Sequence, residues 1–344
     1  MFAAQGCEFN TIRGPAVWDR NSLRNDDSWR FVLNDHALEN IDANLQRLDC
    51  GQVDLRSLTR ENFPLPALHD ELARMRETLG RGVGILLISG FPVERYTQSQ
   101  ISFAYYGMAI HLGVGVSQSH RGDYIGEVTD KRDASDRRPY HNGGVFTMHR
   151  DPVDATGLIS IRRAKEGGES RIISAATAHN VLLDEHPEVM EHLYSGYPYM
   201  RLTPDRGETE LYTPYRMPVF KFTNTGEFMS HYIPQASEFY LQRDGLDASA
   251  PEVVAQIVLK KTIWERPELY TDMMMEPGDI QFVNNRLLMH SRTDYTDWPD
   301  TDRLRLLLRV WLQMPEWGAV PPDQLFYTNV DRAGGGIAAL APDQ

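Results

Sequence analysis

The order of apolar and polar positions along the chain changes character about a third of the way through. Between Leu65 and Leu79, apolar residues recur at Leu65, Leu68, Leu72, Met75 and Leu79. This 3-4-3-4 spacing puts one apolar stripe on an amphipathic helix, with Gly80 as its stop. VGILLISGFP (83–92) is apolar throughout and closes on Gly-Phe-Pro, as a buried strand does. TQSQISFAYYGMAIHLG (97–113) reads as a second helix with a glycine stop. The first 60 residues are polar and mixed, with WRFVL (29–33) as a short strand.

From about residue 114 the pattern breaks into short β-prone pieces separated by Gly, Pro, Asp and Asn. They are GLISIRR (157–163), SRIIS (170–174), MPVFKFT (217–223), GDIQFVNN (278–285) and LRLLLRVWLQM (304–314). Helical patterns at 175–186, 188–194 and 248–265 interrupt the series. Many short strands with turn signals suggest a sandwich or barrel. The expected class is therefore mainly β with flanking helices (α+β). No internal repeat or long linker is evident, and DRAGGGIAALAPDQ (331–344) reads as a flexible tail. Gly80-Arg-Gly82-Val-Gly84 resembles part of a dinucleotide fingerprint, but it follows a helix and opens a strand. A phosphate cradle needs the reverse order.

Composition narrows the partners. The 344 residues are 41% hydrophobic and 24% charged, ordinary for a globular protein. A formal net charge of -13 disfavours nucleic acid and anionic membrane, where excess Lys and Arg would neutralise phosphate. A small-molecule substrate is the expected partner, with self-association left open. Cys7 and Cys50 make no C-x-x-C pair, so a disulfide scaffold is excluded and a reducing compartment is expected. Neither a signal peptide nor an apolar run of spanning length is visible, and the expected location is the cytoplasm.

The first chemistry-bearing motif is His149-Arg150-Asp151. On extended backbone, residues i and i+2 point to one side, so the pair offers an imidazole and a carboxylate to one point. His290, at the end of the apolar run after GDIQFVNN, can supply a third ligand. Two His and one carboxylate on one octahedral face leave open positions, the pattern of non-haem Fe(II) oxygenases. H-x-D alone is a weak signal among 11 histidines and 48 acidic residues, and a solvated surface turn competes with it.

Arginines downstream strengthen the metal reading. If the co-substrate is 2-oxoglutarate, its distal carboxylate needs a partner, and the planar fork of Arg suits it. Arg305 and Arg309 share parity with Leu307 and Trp311 in an otherwise apolar strand. Two cations on that face are costly unless an anion meets them. The strand alone leaves open the opposite orientation, with arginines to solvent. Ser170, after the Gly167-Gly168 turn, offers a hydroxyl to the same carboxylate.

Taken together, FTMHRDPVDATGLISIRRAKEGGESRIISAATAHNVLL, EPGDIQFVNNRLLMHSRTDYTD and RLRLLLRVWL resemble the TauD/TfdA family of Fe(II)/2-oxoglutarate dioxygenases, the clavaminate-synthase-like group. A weaker match runs through GRGVGILLISGFPVERYTQSQISFAYYGMAIHLG. The resemblance implies a double-stranded β-helix, or jelly-roll, domain over 51–315, an N-terminal extension at 1–50 and a tail at 316–344. It implies His149, Asp151 and His290 as iron ligands and Arg305 with Ser170 at the 2-oxoglutarate carboxylate. Arg309 then lies near the co-substrate or an acid group of the substrate. Arg150 stands where Thr is frequent, and its side chain is expected to point away from the metal.

The activity so implied consumes Fe(II), 2-oxoglutarate and O2, yields succinate and CO2, and oxidises an unactivated C–H bond of a small molecule, by hydroxylation first. Desaturation and cyclisation are the alternatives within the family; a cupin-like isomerase or hydrolase and a non-catalytic binding module are the alternatives outside it. The polar stretch 117–144 is expected to be a lid, with Gln118, Tyr124 and Asn142 as substrate-contact candidates. His111, His141 and His231 are expected to be structural or surface histidines.

Overall fold

The computed structural model describes residues 9–48, 50–131, 146–201, 211–243, 245–327, 330–331 and 335–339. Its strands begin with β1 (Arg30–Val32), β2 (Ile85–Ser89), β3 (Val114–Val116), β4 (Ile125–Val128), β5 (Phe146–His149), β6 (Ala155–Arg162), β7 (Glu166–Gly167) and β8 (Ser170–Ser174). They continue with β9 (Phe220–Phe222), β10 (Phe228–Ser230), β11 (Tyr270–Met273), β12 (Ile280–Asn284), β13 (Leu288–Arg292), β14 (Tyr295–Thr296) and β15 (Leu306–Gln313). The helices are α1 (Arg20–Arg24), α2 (Asp35–Arg47), α3 (His69–Gly80), α4 (Gln98–Ala109), α5 (Ala175–Glu185), α6 (Met190–Ser195), α7 (Pro234–Arg243) and α8 (Pro251–Trp264).

Two sheets carry the architecture. The larger runs β1-β2-β12-β6-β15-β3, with β4 also paired to β15. The smaller runs β11-β8-β13-β5. The pairing of β1 with β2 is parallel, and the other pairings within the two sheets are antiparallel. Alternation along β15 decides what each face does. Leu306, Leu308, Val310 and Leu312 join a core with Ile41, Leu45, Leu79 and Tyr105 from α2, α3 and α4. The alternate residues Leu307, Arg309 and Trp311, and Arg305 just before them, turn the other way, toward the site described below.

A second core joins the smaller sheet to α5, α6 and α8 through Met148, Ile173, Met289, Leu182, Leu193 and Leu259. Each such fully buried side chain contributes about 1.5–3 kcal/mol of hydrophobic stabilisation. Local signals set the helix starts. Thr97 and Gln100 form a reciprocal capping box on α4, and the Ser174 side chain accepts from Thr177 N–H at the start of α5. Both satisfy backbone donors that a helix leaves unpaired.

Several elements differ from the expectation. The 65–79 stripe is buried throughout, yet Pro66–Leu68 form a 3-10 turn and the α-helix proper starts at His69. α2 lies inside the segment expected as an extension, and Ile41 and Leu45 bury their side chains there. Its stripe also contains buried Asn44, which obscured the periodicity. Part of the expected lid is strand β4, held by pairing with β15 rather than by any apolar run of its own. The C-terminal stretch expected to be flexible packs back where it is described, with Ile337 buried against Val116, Val153 and Trp311. Among the described residues, no helix is long and apolar enough to cross a membrane.

Candidate metal centre and co-substrate pocket

β5 and β13 are antiparallel neighbours whose register places His290 opposite His149. Asp151 follows β5 directly. One ligand atom from each of His149, Asp151 and His290 lies within 4.8 Å of the others. The separations are 3.8 Å from His149 Nε2 to Asp151 Oδ1 and 4.0 Å from His290 Nε2 to Asp151 Oδ2. His149 Nδ1 sits 2.8 Å from the Thr147 carbonyl. A carbonyl only accepts, so Nδ1 carries the proton and the Nε2 lone pair is left for a metal.

The carboxylate is held on both oxygens. Thr156 Oγ1 donates to Asp151 Oδ2 at 2.8 Å, and Trp311 Nε1 donates to the same oxygen at 3.1 Å. Thr156 and Trp311 are register partners on β6 and β15, which is why they reach one atom together. Asn285 Nδ2 donates to Thr156 Oγ1 and so fixes the direction of the hydroxyl proton. Arg309 Nη1 stands 3.8 Å from Asp151 Oδ1.

Charge states follow from burial and neighbours. Burial opposes ionisation of Asp151, but Arg309, the two imidazoles and Thr156 outweigh it and hold the carboxyl below the usual range. Burial, with His149 alongside, pushes His290 down to about 3. Burial likewise lowers His149. The site therefore presents an anionic carboxylate and two neutral imidazoles near neutral pH, a donor set that fits Fe(II).

Beside these groups opens a cavity lined by Ser170, Arg292, Arg305 and Arg309 and by apolar Val128, Phe146, Leu158 and Leu307. The Arg305 backbone is pinned by Asp297, and its guanidinium lies 5.3 Å over the Tyr295 ring. Gly168 has φ +83°, and a Cβ there would come within 3.1 Å of Arg305 Nε, so glycine makes room for the guanidinium. Arg305 Nη1 is buried without a hydrogen-bond partner among the described residues. Burial, with Arg292 near, lowers Arg305 to about 10, so it stays cationic at neutral pH. Its Nη2 donates to Gly168 O at 3.5 Å; a buried guanidinium left with one nitrogen unpartnered is costly and fits an anionic ligand.

The model of the family described as "Taurine catabolism dioxygenase TauD, TfdA family" matches residues 52–311. The chain belongs to the TauD/TfdA family. This TauD/TfdA protein is thus an oxidoreductase of the Fe(II)/2-oxoglutarate class, with O2 as co-substrate. It is 28% identical to the FR-33289 synthase of Streptomyces rubellomurinus (strain ATCC 31215), over 88% of this chain and 90% of that protein. Its fold is similar to an asparagine oxygenase solved with Fe(II), 2S,3S-3-hydroxyasparagine and succinate (TM-score 0.64, 14% identity, 86% of this chain and 98% of that one). It is also similar to the non-heme iron oxygenase OrfP solved with Fe and alpha-ketoglutaric acid (TM-score 0.62, 15% identity, 86% and 99%).

Other expected positions fall around this pocket of the TauD/TfdA enzyme in different ways. Ser170 lines the cavity but donates its proton to Gln281 Oε1 at 2.9 Å, so meeting a carboxylate takes rotation of the hydroxyl. Gln118 is buried and bonded twice to Arg309: its Oε1 accepts from Arg309 Nε at 2.8 Å and its Nε2 donates to Arg309 O at 2.9 Å, and Nε2 also donates to Tyr124 O at 3.2 Å. Tyr124 donates to Asp331 at 3.0 Å. Asn142 and His141 lie outside the described residues. His111 and His231 stand apart from the metal cluster. Arg150 does point away from the metal, donating to Asp151 O and Ser230 O.

Thr156 and Asn285 carry no signal in the sequence, and parity put Trp311 on the Arg305 and Arg309 face without showing its bond to Asp151, which comes from cross-strand register. Arg292 was also missed; its position two residues after His290 carries a parity signal. A groove of about 760 Å3 between residues 9–16, the start of β10 with Gly226 and Glu227 before it, and Trp317 is larger than the site cavity but contains none of these groups.

Proposed function

We propose that the protein hydroxylates an unactivated C–H bond of a small organic molecule, coupled to conversion of 2-oxoglutarate to succinate and CO2. In this reading His149, Asp151 and His290 are the iron ligands, and Arg305, helped by Ser170, receives the distal carboxylate of 2-oxoglutarate. Arg309 then meets the other end of the co-substrate or an acid group of the substrate. The carrying observation is the convergence of the three donor atoms within 4.8 Å, beside a buried arginine nitrogen with no partner among the described residues.

When bound, Fe(II) with 2-oxoglutarate supplies O2 activation and an oxygen atom for the C–H bond. The chain's own residues do the rest. Arg305 fixes the co-substrate at its far end, and Thr156 and Trp311 orient the Asp151 carboxylate. Val128, Phe146, Leu158 and Leu307 keep water from the reacting centre. A carboxylate at Asp151 leaves no vacated position for a halide.

The two sheets are proposed to form a double-stranded β-helix over residues 51–315, with 1–50 as an extension and 316–344 as a tail; the family match over 52–311 supports those limits. Hydroxylated amino acids bound together with succinate in the asparagine oxygenase and in OrfP support hydroxylation and a small substrate. A metal isomerase or hydrolase would have no use for a buried Arg305 whose Nη1 has no partner among the described residues.

The test is anaerobic addition of Fe(II) and 2-oxoglutarate. A weak visible charge-transfer band is expected, absent in His149→Ala, together with succinate formation on admitting O2. A wild-type protein that shows neither band nor succinate overturns the reading.

A further inference from the structure

Both oxygens of Asp151 are reached from one place in the chain, and that place lies beyond the residues that match the family. The first route begins at Asp331. Its Oδ2 accepts from Ser117 N–H at 3.2 Å and from Tyr124 O–H at 3.0 Å, and so ties together the two ends of the 117–124 loop. Gln118 lies within that loop, bonded to Asp123 O through its backbone and to Tyr124 O through its side chain. The same Gln118 amide holds both the side chain and the carbonyl of Arg309. Arg309 then faces Asp151 Oδ1 at 3.8 Å.

The second route begins at Ile337. Its N–H donates to Ser117 O at 2.8 Å, and its buried side chain packs with Val116, Val153 and Trp311. Trp311 in turn donates to Asp151 Oδ2. One polar anchor and one apolar anchor thus converge on opposite oxygens of the same carboxylate. Groups that touch a metal ligand orient it, and losing one typically costs about ten- to a hundredfold in metal affinity; Asp331 and Ile337 hold the groups that do so here, Arg309 and Trp311.

We propose that Asp331 and Ile337, two described anchors in the C-terminal part of the chain, act together as a strap that positions the metal-ligating carboxylate, both as positioning residues. Gln118 is then part of that strap's linkage to Arg309. The proposal rests on the reading of His149, Asp151 and His290 as metal ligands. It also gives the two anchors a task that a flexible tail could not perform.

The test uses full-length protein without iron, titrated anaerobically with Co(II), whose visible bands report both affinity and ligand geometry. Asp331→Ala and Ile337→Ala are expected to weaken Co(II) binding about tenfold and to alter the bands. Asp331→Asn keeps an acceptor oxygen for both donors and should stay close to wild type. Leu45→Ala, in the distant α2 core, serves as a destabilised control and should bind Co(II) as wild type does. Wild-type affinity and bands in both Asp331→Ala and Ile337→Ala overturn the strap, as does equal weakening in Leu45→Ala. A wild-type protein that binds no Co(II) overturns the metal reading and the strap with it.

Discussion

His149 and His290 are register partners across β5 and β13, and their ring centroids lie 4.5 Å apart. Two neutral imidazoles this close, beside an ionised carboxylate, have little to gain from each other and much from a shared cation. The pairing brings together residues far apart in the chain, and it sets the geometry on which most of the following outcomes depend.

Arg305→Ala should raise the 2-oxoglutarate requirement about ten- to a hundredfold, the cost of a lost charged hydrogen-bond pair. Arg305→Lys should recover little, since an ammonium lacks the fork that meets both carboxylate oxygens. Arg309→Ala should affect 2-oxoglutarate less. Calorimetric titration of the Mn(II)-loaded protein measures this, and the reverse order would exchange the two roles.

Thr156→Val removes one donor to Asp151 Oδ2 and strands the buried Asn285 amide. Metal affinity should fall about tenfold or more, and stability by about 1–3 kcal/mol. Thr156→Ser keeps the hydroxyl and should restore both. Equal metal affinity in the Val and Ser variants would remove Thr156 from the site.

Gly126 lies opposite Arg309 in the β4–β15 pairing, and a Cβ there would come within 2.6 Å of Gln118 Oε1. Gly126→Ala should therefore displace Gln118 from Arg309 and cost about 1–3 kcal/mol of overpacking. Chemical denaturation reads the stability loss. An unchanged unfolding midpoint would mean that the strand yields without cost.

His231 is fully buried, and burial first, then nearby Arg150, holds it well below its ordinary value. The unfolded chain then takes up a proton near pH 6.5 that the folded chain refuses. Stability is thus fully present above about pH 6.5 and falls as the pH drops below it. His231→Phe should flatten this slope between pH 7.5 and about 5.5 relative to wild type. Urea unfolding of the metal-free protein checks it, and parallel curves would exclude His231 as a source of acid sensitivity.

Much of the site could be read along the chain because its chemistry is local. His149 and Asp151 sit two apart, and Arg305 and Arg309 share parity on one strand, so spacing alone could suggest a common face. The strands SRIIS and GLISIRR, and the helix at 69–80, follow from apolar pattern and turn or stop glycines, whereas the helix expected over 97–113 ends at Ala109, before Gly113. His290 could be offered as a third ligand from its place after the GDIQFVNN run, and the family resemblance supported joining it to the H-x-D pair.

Only the tertiary structure decided the rest. Register between β6 and β15 placed Thr156 and Trp311 on one carboxylate oxygen. The closing of the 117–124 loop set Gln118 as a clamp on Arg309. Docking of Ile337 on Trp311 made part of an expected tail into structure. A strand's own sequence specifies which side chains share a face, because that depends on backbone alternation within it. Which neighbour lies opposite depends on how separate strands pair, and that is settled by the burial of whole faces against one another.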